Sequence, residues 1–315
     1  MTTAVAVLMD PIAGINVKKD STLALMLEAQ RRGHSLLYLT QGDLALRGAV
    51  PYARMAPLSV RDDPYDWFTL GEAQWRDLRE VGIVLARKDP PFDSQFLYDT
   101  MVLELAQLAG VRVINDPRGL RDANEKLFSL HFPQCIPPTI IARDAAEIRR
   151  FVTEHGAVVL KPLDGMGGRS IFRSGRGDPN LNVILETLTE EGRNFTVAQK
   201  YIEEIRDGDK RILMIDGEPV PYVLARMPQG EDFRGNLARG GKGIGRPLSE
   251  RDRWIAAQVG PELRRRGMRF VGLDVIGDYL TEVNVTSPTC IRELDAQFGL
   301  NIAGMLFDAI ETDAA

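Results

Sequence analysis

The sequence is poor in the residues that covalent and thiolate chemistry need. Its 315 residues include two cysteines, Cys135 and Cys290, which form no CxxC pair, so neither a metal–thiolate site nor a disulfide framework is indicated. The three histidines, His34, His131 and His155, have no useful spacing, and no GxSxG elbow is present. Nucleophilic catalysis by the protein is therefore disfavoured. Long hydrophobic runs are also missing: none approaches the roughly 20 residues that span a bilayer. The N-terminal "MTTAVAVLMDP" has no basic n-region, and its apolar run is too short for a signal peptide. A formal charge of −5 argues against nucleic acid as the main partner, while leaving room for a locally basic pocket. These absences predict a cytoplasmic, reduced protein without membrane or nucleic-acid partners.

What is present is ordinary for a globular chain, with 44% hydrophobic and 26% charged residues. Strands are expected at 4–9, 35–39, 81–89 and 111–116, alternating with helices over 20–33 and 94–109. That alternation predicts a parallel α/β domain over residues 1–122. The pattern then becomes α+β. Strands are expected at 137–143, 157–163, 167–173 and 195–202, with a helix over 180–191, giving a unit over 123–202. A third unit, 203–315, opens with a hairpin over 211–227 whose Asp216–Gly217 pair favours a type I′ turn. A helix over 249–266, a second hairpin over 271–284 and two short helices complete it.

Four stretches carry candidate chemistry. "VGLDVIGDYLTEVN" (271–284) places Asp274, Glu282 and Asn284 on a hairpin where they can converge. Period-2 spacing turns Glu282 and Asn284 to one side with Leu280 and Thr286, and Val283 and Val285 to the other. Oxygen donors of this kind suit Mg²⁺; a half-buried strand with a wet outer face fits the same pattern. "KPLDGMGGRS" (161–170) joins Lys161 to a turn containing Gly165, Met166, Gly167 and Gly168, and is neither a Walker A loop nor GxGxxG. It reads as a flap over phosphates or as a plain glycine-rich hairpin. "RMPQGEDFRGNLARGGKGIGR" (226–246) reads as a basic lid, with Arg234, Asn236 and Arg239 facing an anion, or as a linker. Asp10, Asn16 and Lys18 follow the first strand, and "RKDPPFD" (87–93) follows a later one; ligands bind outside such strand ends, and turn chemistry alone produces similar residues. "RDANEKLF" (121–128) places Lys126 early in a helix at the junction of the two halves.

A phosphate flap, a basic lid and an acidic metal face together specify phosphoryl transfer from a Mg²⁺–nucleotide. The combination resembles the ATP-grasp fold, and the segments "MDPI", "INVKKDS", "RKDPPFD", "EKLF", "KPLDGMGG", "DGDKRILMIDGEPVPY", "RGNLARGG" and "LTEVNVTSPTCIRE" resemble the bacterial glutathione synthetase family. They run from residue 9 to residue 293. The resemblance implies an N-terminal substrate-binding domain followed by two ATP-grasp subdomains. It implies ATP-dependent joining of γ-glutamylcysteine and glycine through an acyl phosphate, and a homotetramer. It further implies that Lys126 and Lys161 contact the ATP phosphates under the 165–168 flap, with Gln199 and Tyr201 beside adenine. Asp274, Glu282 and Asn284 would hold two Mg²⁺, or Mn²⁺. Arg211 and Arg226 would neutralise the transferred phosphoryl group, Arg234 and Asn236 would shield the intermediate, and Ser287 and Thr289 would meet substrate carboxylates. The second half of the lid is richer in glycine than the family pattern. Rival readings are another ATP-grasp carboxylate–amine ligase, a non-catalytic nucleotide-binding module, and a small-molecule kinase.

Overall fold

The computed structural model describes residues 2–165, 167–228 and 242–312. Three sheets organise the chain. The first begins with β1 (Ala4–Met9), β2 (Ser35–Leu39), β3 (Leu44–Arg47), β4 (Val50–Val60), β5 (Phe68–Leu70), β6 (Gln74–Asp77), β7 (Ile83–Arg87) and β8 (Arg112–Ile114). Its centre is parallel, in the order β2–β1–β7–β8, as the alternation of strands and helices requires. The sheet is nevertheless mixed, because β4 joins β2 antiparallel and itself pairs with β3, β5 and β6. The sequence reading missed this block. Alternating burial along β4, with polar residues on the outer face, gives no continuous apolar run to mark it. Helices α1 (Ser21–Arg31), α2 (Ser94–Leu108) and α3 (Pro117–Asp122) pack with this sheet. Asp20 starts α1 by accepting from the Leu23 amide at 2.6 Å.

The second sheet is four-stranded and antiparallel, built from β9 (Thr139–Ala142), β10 (Val158–Pro162), β11 (Phe172–Ser174) and β12 (Thr196–Lys200) in the order β11–β10–β12–β9. Helices α4 (Ala145–His155) and α5 (Leu181–Thr189) cover it, with Ile148, Val152, Leu185, Val158 and Leu160 in their shared core. The strand expected from 167 begins only at Phe172, since residues 167–170 form turns.

The third sheet comprises β13 (Asp209–Ile215), β14 (Glu218–Met227), β15 (Lys242–Pro247), β16 (Phe270–Ile276) and β17 (Tyr279–Asn284), in the order β15–β14–β13–β16–β17. Helices α6 (Glu250–Arg265), α7 (Ile291–Phe298) and α8 (Ile302–Thr312) follow from it. The β13–β14 turn has φ of 47° at Asp216 and 81° at Gly217, the two positive values a type I′ turn needs. Residues 242–246, read as loop, are strand. Their glycines serve packing: a Cβ on Gly245 would lie 2.2 Å from the Phe298 ring. Among the described residues no helix is long and apolar enough to cross a membrane.

Candidate active site

The third sheet aligns the polar residues by register. Arg211 on β13 is opposite Asp274 on β16, and Asp274 is opposite Glu282 on β17. One strand pair further along, Gly272 faces Asn284. The expected alternation fails at one point. The β16–β17 register shifts after Asp274, so that Glu282 pairs with Asp274 but Leu280 pairs with Val275, leaving Thr281 as the extra residue. Leu280 therefore turns into the core with Val283 and Val285, and Thr281 turns to the cavity that Glu282 and Asn284 line.

That cavity, about 380 Å³, lies between the second and third sheets. Its described lining includes Lys126, Lys161, Gly165, Gly167, Gly168, Gln199, Tyr201, Arg211, Arg226, Asp274, Glu282, Asn284, Ser287 and Thr289. Asp89 and Pro90, just past the end of β7, also line it, so residues that follow the first sheet meet those of the second and third. Asp10, Asn16 and Lys18 are placed elsewhere. Asn16 and Lys18 line a separate open groove with Pro64 and Trp67. Asp10 accepts from the Asp89 amide at 2.9 Å and pairs with Lys88 at 3.1 Å, so it reaches the cavity only through its neighbour Asp89. Met166, Arg234, Asn236 and Arg239 lie outside the described residues. Lys126 does not stand on a helix; it occupies a turn before the short 3-10 segment Phe128–His131, because Asn124 Oδ1 caps the Lys126 and Leu127 amides.

Two ion clusters form one wall. Lys161 Nζ donates to Glu282 Oε1 at 2.9 Å, and Lys126 Nζ lies 3.9 Å from the same oxygen. Lys126 Nζ also donates to the carbonyls of Gly165 at 2.8 Å and Leu163 at 3.2 Å, which ties it to the root of the flap. In the second cluster Arg211 grips Asp274 with two donors, at 2.5 and 3.0 Å, and Arg226 adds a third at 2.9 Å. Gly272 makes room for this, since a Cβ there would meet Arg211 Cδ at 2.8 Å.

Burial raises the cost of every charge on this wall, and the neighbours decide the outcome. Burial pushes Asp274 up, but Arg211 and Arg226 overcome it and hold the carboxyl well below its usual range. Glu282 is likewise lowered against burial by Lys161 and Lys126. Two further acids go the other way. Burial pushes Asp209 up to about 7 against the pull of Arg226, and Glu125 up to about 7 against that of Lys126. Asp209 Oδ1 is buried without a hydrogen-bond partner. The sequence reading named neither residue. Asp209 was within reach, two positions before Arg211 on one strand and hence on one face; Glu125 has no spacing signal.

The donor set fits a hard divalent cation. Asp274 and Glu282 supply carboxylates. The Asn284 Nδ2 group donates to the Gly272 carbonyl at 3.2 Å, which leaves its Oδ1 for the cavity. Two carboxylates and an amide suffice where phosphates and waters complete the shell. Among the described residues no group of three or more His, Cys, Asp and Glu is arranged to hold a metal alone. Elsewhere in the lining, Gln199 Nε2 is turned to Thr139 Oγ1 at 3.1 Å, and the Tyr201 amide is taken by the Ala157 carbonyl at 2.9 Å. Tyr201 therefore offers its ring, with Arg173 stacked at 4.0 Å, and its carbonyl.

This arrangement of sheets and cavity belongs to the ATP-grasp ligases. The ligase PsnB, solved with a phosphomimetic precursor variant, Mg and ADP, aligns with a TM-score of 0.64 at 18% identity, over 99% of this chain and 98% of its own. D-cycloserine synthetase DcsG aligns with a TM-score of 0.64 at 16% identity, over 97% and 99%. At those identities the likeness is one of fold. Sequence carries the assignment further: the N-terminal domain model of prokaryotic glutathione synthetase matches residues 3–121 and its ATP-grasp domain model matches 125–299, and the chain belongs to that family. Relatives named glutathione synthetase include one from Xanthomonas axonopodis pv. citri, 68% identical over the whole of both chains. Another, from Pseudomonas aeruginosa, is 58% identical over 100% of this chain and 99% of its own. ATP-grasp enzymes use ATP and a divalent cation, generally Mg²⁺.

Proposed function

We infer that this chain joins γ-glutamylcysteine to glycine, converting ATP to ADP and phosphate and forming glutathione. The observation that carries the reading is the full-length likeness to enzymes of that name, 68% in the nearer example. The cavity supplies the chemistry the reaction needs. A carboxylate is a poor electrophile, so its oxygen first attacks the γ-phosphorus and the bond to ADP breaks. The glycine amine then attacks the acyl phosphate carbon, loses a proton, and phosphate departs. The protein's part is positioning and charge stabilisation.

Lys126 and Lys161, which lie beside Glu282, contact the ATP phosphates, with Gly165 to Gly168 covering them. Asp274, Glu282 and the Asn284 Oδ1 would hold two divalent ions, Mg²⁺ or Mn²⁺, whose positive charge would offset the negative charge of the phosphates. Arg211 and Arg226 face the phosphoryl group in transfer, and Gln199 and Tyr201 flank adenine. Ser287 and Thr289, on the same wall, hydrogen-bond the substrate carboxylates. Arg234 and Asn236 hold and shield the acyl phosphate, while Asp10 reaches the substrate only through Asp89, and Asn16 and Lys18, in their separate groove, take no part. We read the chain as units 1–122, 123–202 and 203–315, supported by the three separate sheets. The enzyme works in the cytoplasm as a homotetramer.

The test is ADP release with Mg²⁺–ATP, omitting γ-glutamylcysteine and glycine in turn. Turnover that needs both, with one glutathione per ADP, is the expected result. Turnover with D-alanine or another acceptor in place of that pair moves the chain to a different ligase activity.

A further inference from the structure

Arg87 ends β7 in the first sheet and is buried, yet among the described residues no carboxylate lies within salt-bridge distance of it. Asp20 and Asp89 act on it only through their fields, and burial pulls its pKa down to about 10. A buried guanidinium without an ion pair is costly, and an apolar side chain of similar size would serve plain packing better. The hydrogen bonds of Arg87 show what the charge does instead. Nε donates to Thr22 Oγ1 at 3.1 Å in the first turn of α1, and Nη2 donates to the Pro288 carbonyl at 2.8 Å. Its own carbonyl accepts from Ser287 Oγ at 3.4 Å.

Residues 285–291 lead from the metal hairpin to α7 and carry Ser287 and Thr289 to the cavity. This segment is held from outside along most of its length. Asn115 Nδ2 donates to the Val285 carbonyl at 2.8 Å, Thr286 Oγ1 bonds Glu125 Oε1 at 3.0 Å, and the Ile291 amide donates to Ser21 Oγ at 3.1 Å. Arg87 fixes the middle of the segment, beside the two residues that face the cavity.

We propose that Arg87 is a positioning residue for the acyl substrate, holding the 286–290 loop so that Ser287 and Thr289 stay in the cavity lining. The N-terminal unit thereby governs dipeptide binding through a loop of the C-terminal unit. Arg87 makes no hydrogen bond to Lys126, Lys161, Gln199 or Tyr201, so nucleotide binding is independent of it. The proposal rests on the proposed function for the identity of the dipeptide.

The experiment measures KM for γ-glutamylcysteine, glycine and ATP, together with kcat and Tm, in wild type, Arg87→Lys, Thr22→Val and Thr22→Ser. Lysine keeps the charge but cannot bond Thr22 and Pro288 together. Arg87→Lys should raise the dipeptide KM about tenfold, the loss of one charge-assisted hydrogen bond, while the ATP KM stays within about twofold. Thr22→Val should shift the same constant in the same direction by a smaller factor, and Thr22→Ser, which keeps the hydroxyl, should restore it. If Arg87→Lys does not fold, the Thr22 pair carries the test. An unchanged dipeptide KM, or equal changes in all three KM values, overturns the positioning role. Wild type without glutathione formation would instead overturn the functional reading, so the two failures are separable.

Discussion

Two charge clusters of similar size sit in different parts of this molecule, and they are built on opposite terms. Between α1 and α8, Glu28 accepts from Arg31 and Arg32 at 2.7 Å, and Arg32 reaches on to Asp308 at 2.7 Å and Glu311 at 2.8 Å. His34 completes the set, its Nε2 2.9 Å from Glu311 Oε1 and its Nδ1 accepting from the Thr3 amide. Of the buried atoms left without a hydrogen-bond partner, none belongs to this cluster. The cavity wall also pairs its charges, but it leaves Asp209 Oδ1 unmet and pushes two carboxyls, Asp209 and Glu125, up to about 7. A cluster that only joins helices satisfies its groups with one another. Buried carboxyls raised beside buried cations in a cavity are the mark of a functional site, where local rules are broken for chemistry.

The largest effect that sharpens this contrast is Arg211→Ala. It removes one preorganised cation from the proposed site of phosphoryl transfer and should lower kcat by roughly 10²–10³. The same change takes two donors from the buried Asp274 carboxylate, so Tm should fall as well, and kcat is compared at a temperature where the variant stays folded. A loss of activity explained wholly by unfolding, followed by circular dichroism on the assayed sample, would make the cavity cluster as structural as the helix cluster.

Asp209→Asn tests the unsettled side directly. Its ordinary pKa of 3.8 is raised in the fold, so its contribution to stability is full below 3.8 and is lost as pH rises through about 7. Asparagine has no such loss. The Tm of the variant minus that of wild type should therefore grow more positive from acid to mildly alkaline pH. A flat difference would mean that Asp209 is as comfortable as Glu28.

Much of this site was legible because it rests on alternation within strands and on short motifs. The hairpin that carries Asp274, Glu282 and Asn284, the I′ turn at Asp216–Gly217 and the meeting of Lys126 with Lys161 all follow from local spacing or from family likeness. What escaped was set by tertiary contact. The bulge that sends Leu280 inward and Thr281 outward depends on how β17 pairs with β16. The glycines at 243 and 245 looked like loop flexibility but are spaces cleared for Leu224 and Phe298. Arg87 entered only within "RKDPPFD", a strand end that could meet a ligand, and its structural role was hidden because its partners Thr22 and Pro288 lie 65 and 201 positions away.

Glu28→Gln is the smallest effect and bears on the settled cluster. The hydrogen bond from Arg31, against burial, holds the Glu28 carboxyl down to about 2 from 4.5. A lowered carboxyl contributes stability above 4.5 and loses it as pH falls toward 2. Arg31 is largely exposed, so screening limits the contribution to about 1 kcal/mol or less. Glutamine keeps one acceptor for the arginines but not the charge. Its Tm deficit should be present at neutral pH and shrink as the pH is lowered below about 4.5, with kcat and every KM unchanged at neutral pH. Because the cluster lies away from the cavity and leaves no group waiting for a ligand, a kinetic change there would break the comparison. It would mean that the α1–α8 contact reaches residues 288–291, through the first turn of α1, where Ser21 accepts from Ile291 and Thr22 from Arg87, which in turn holds Pro288.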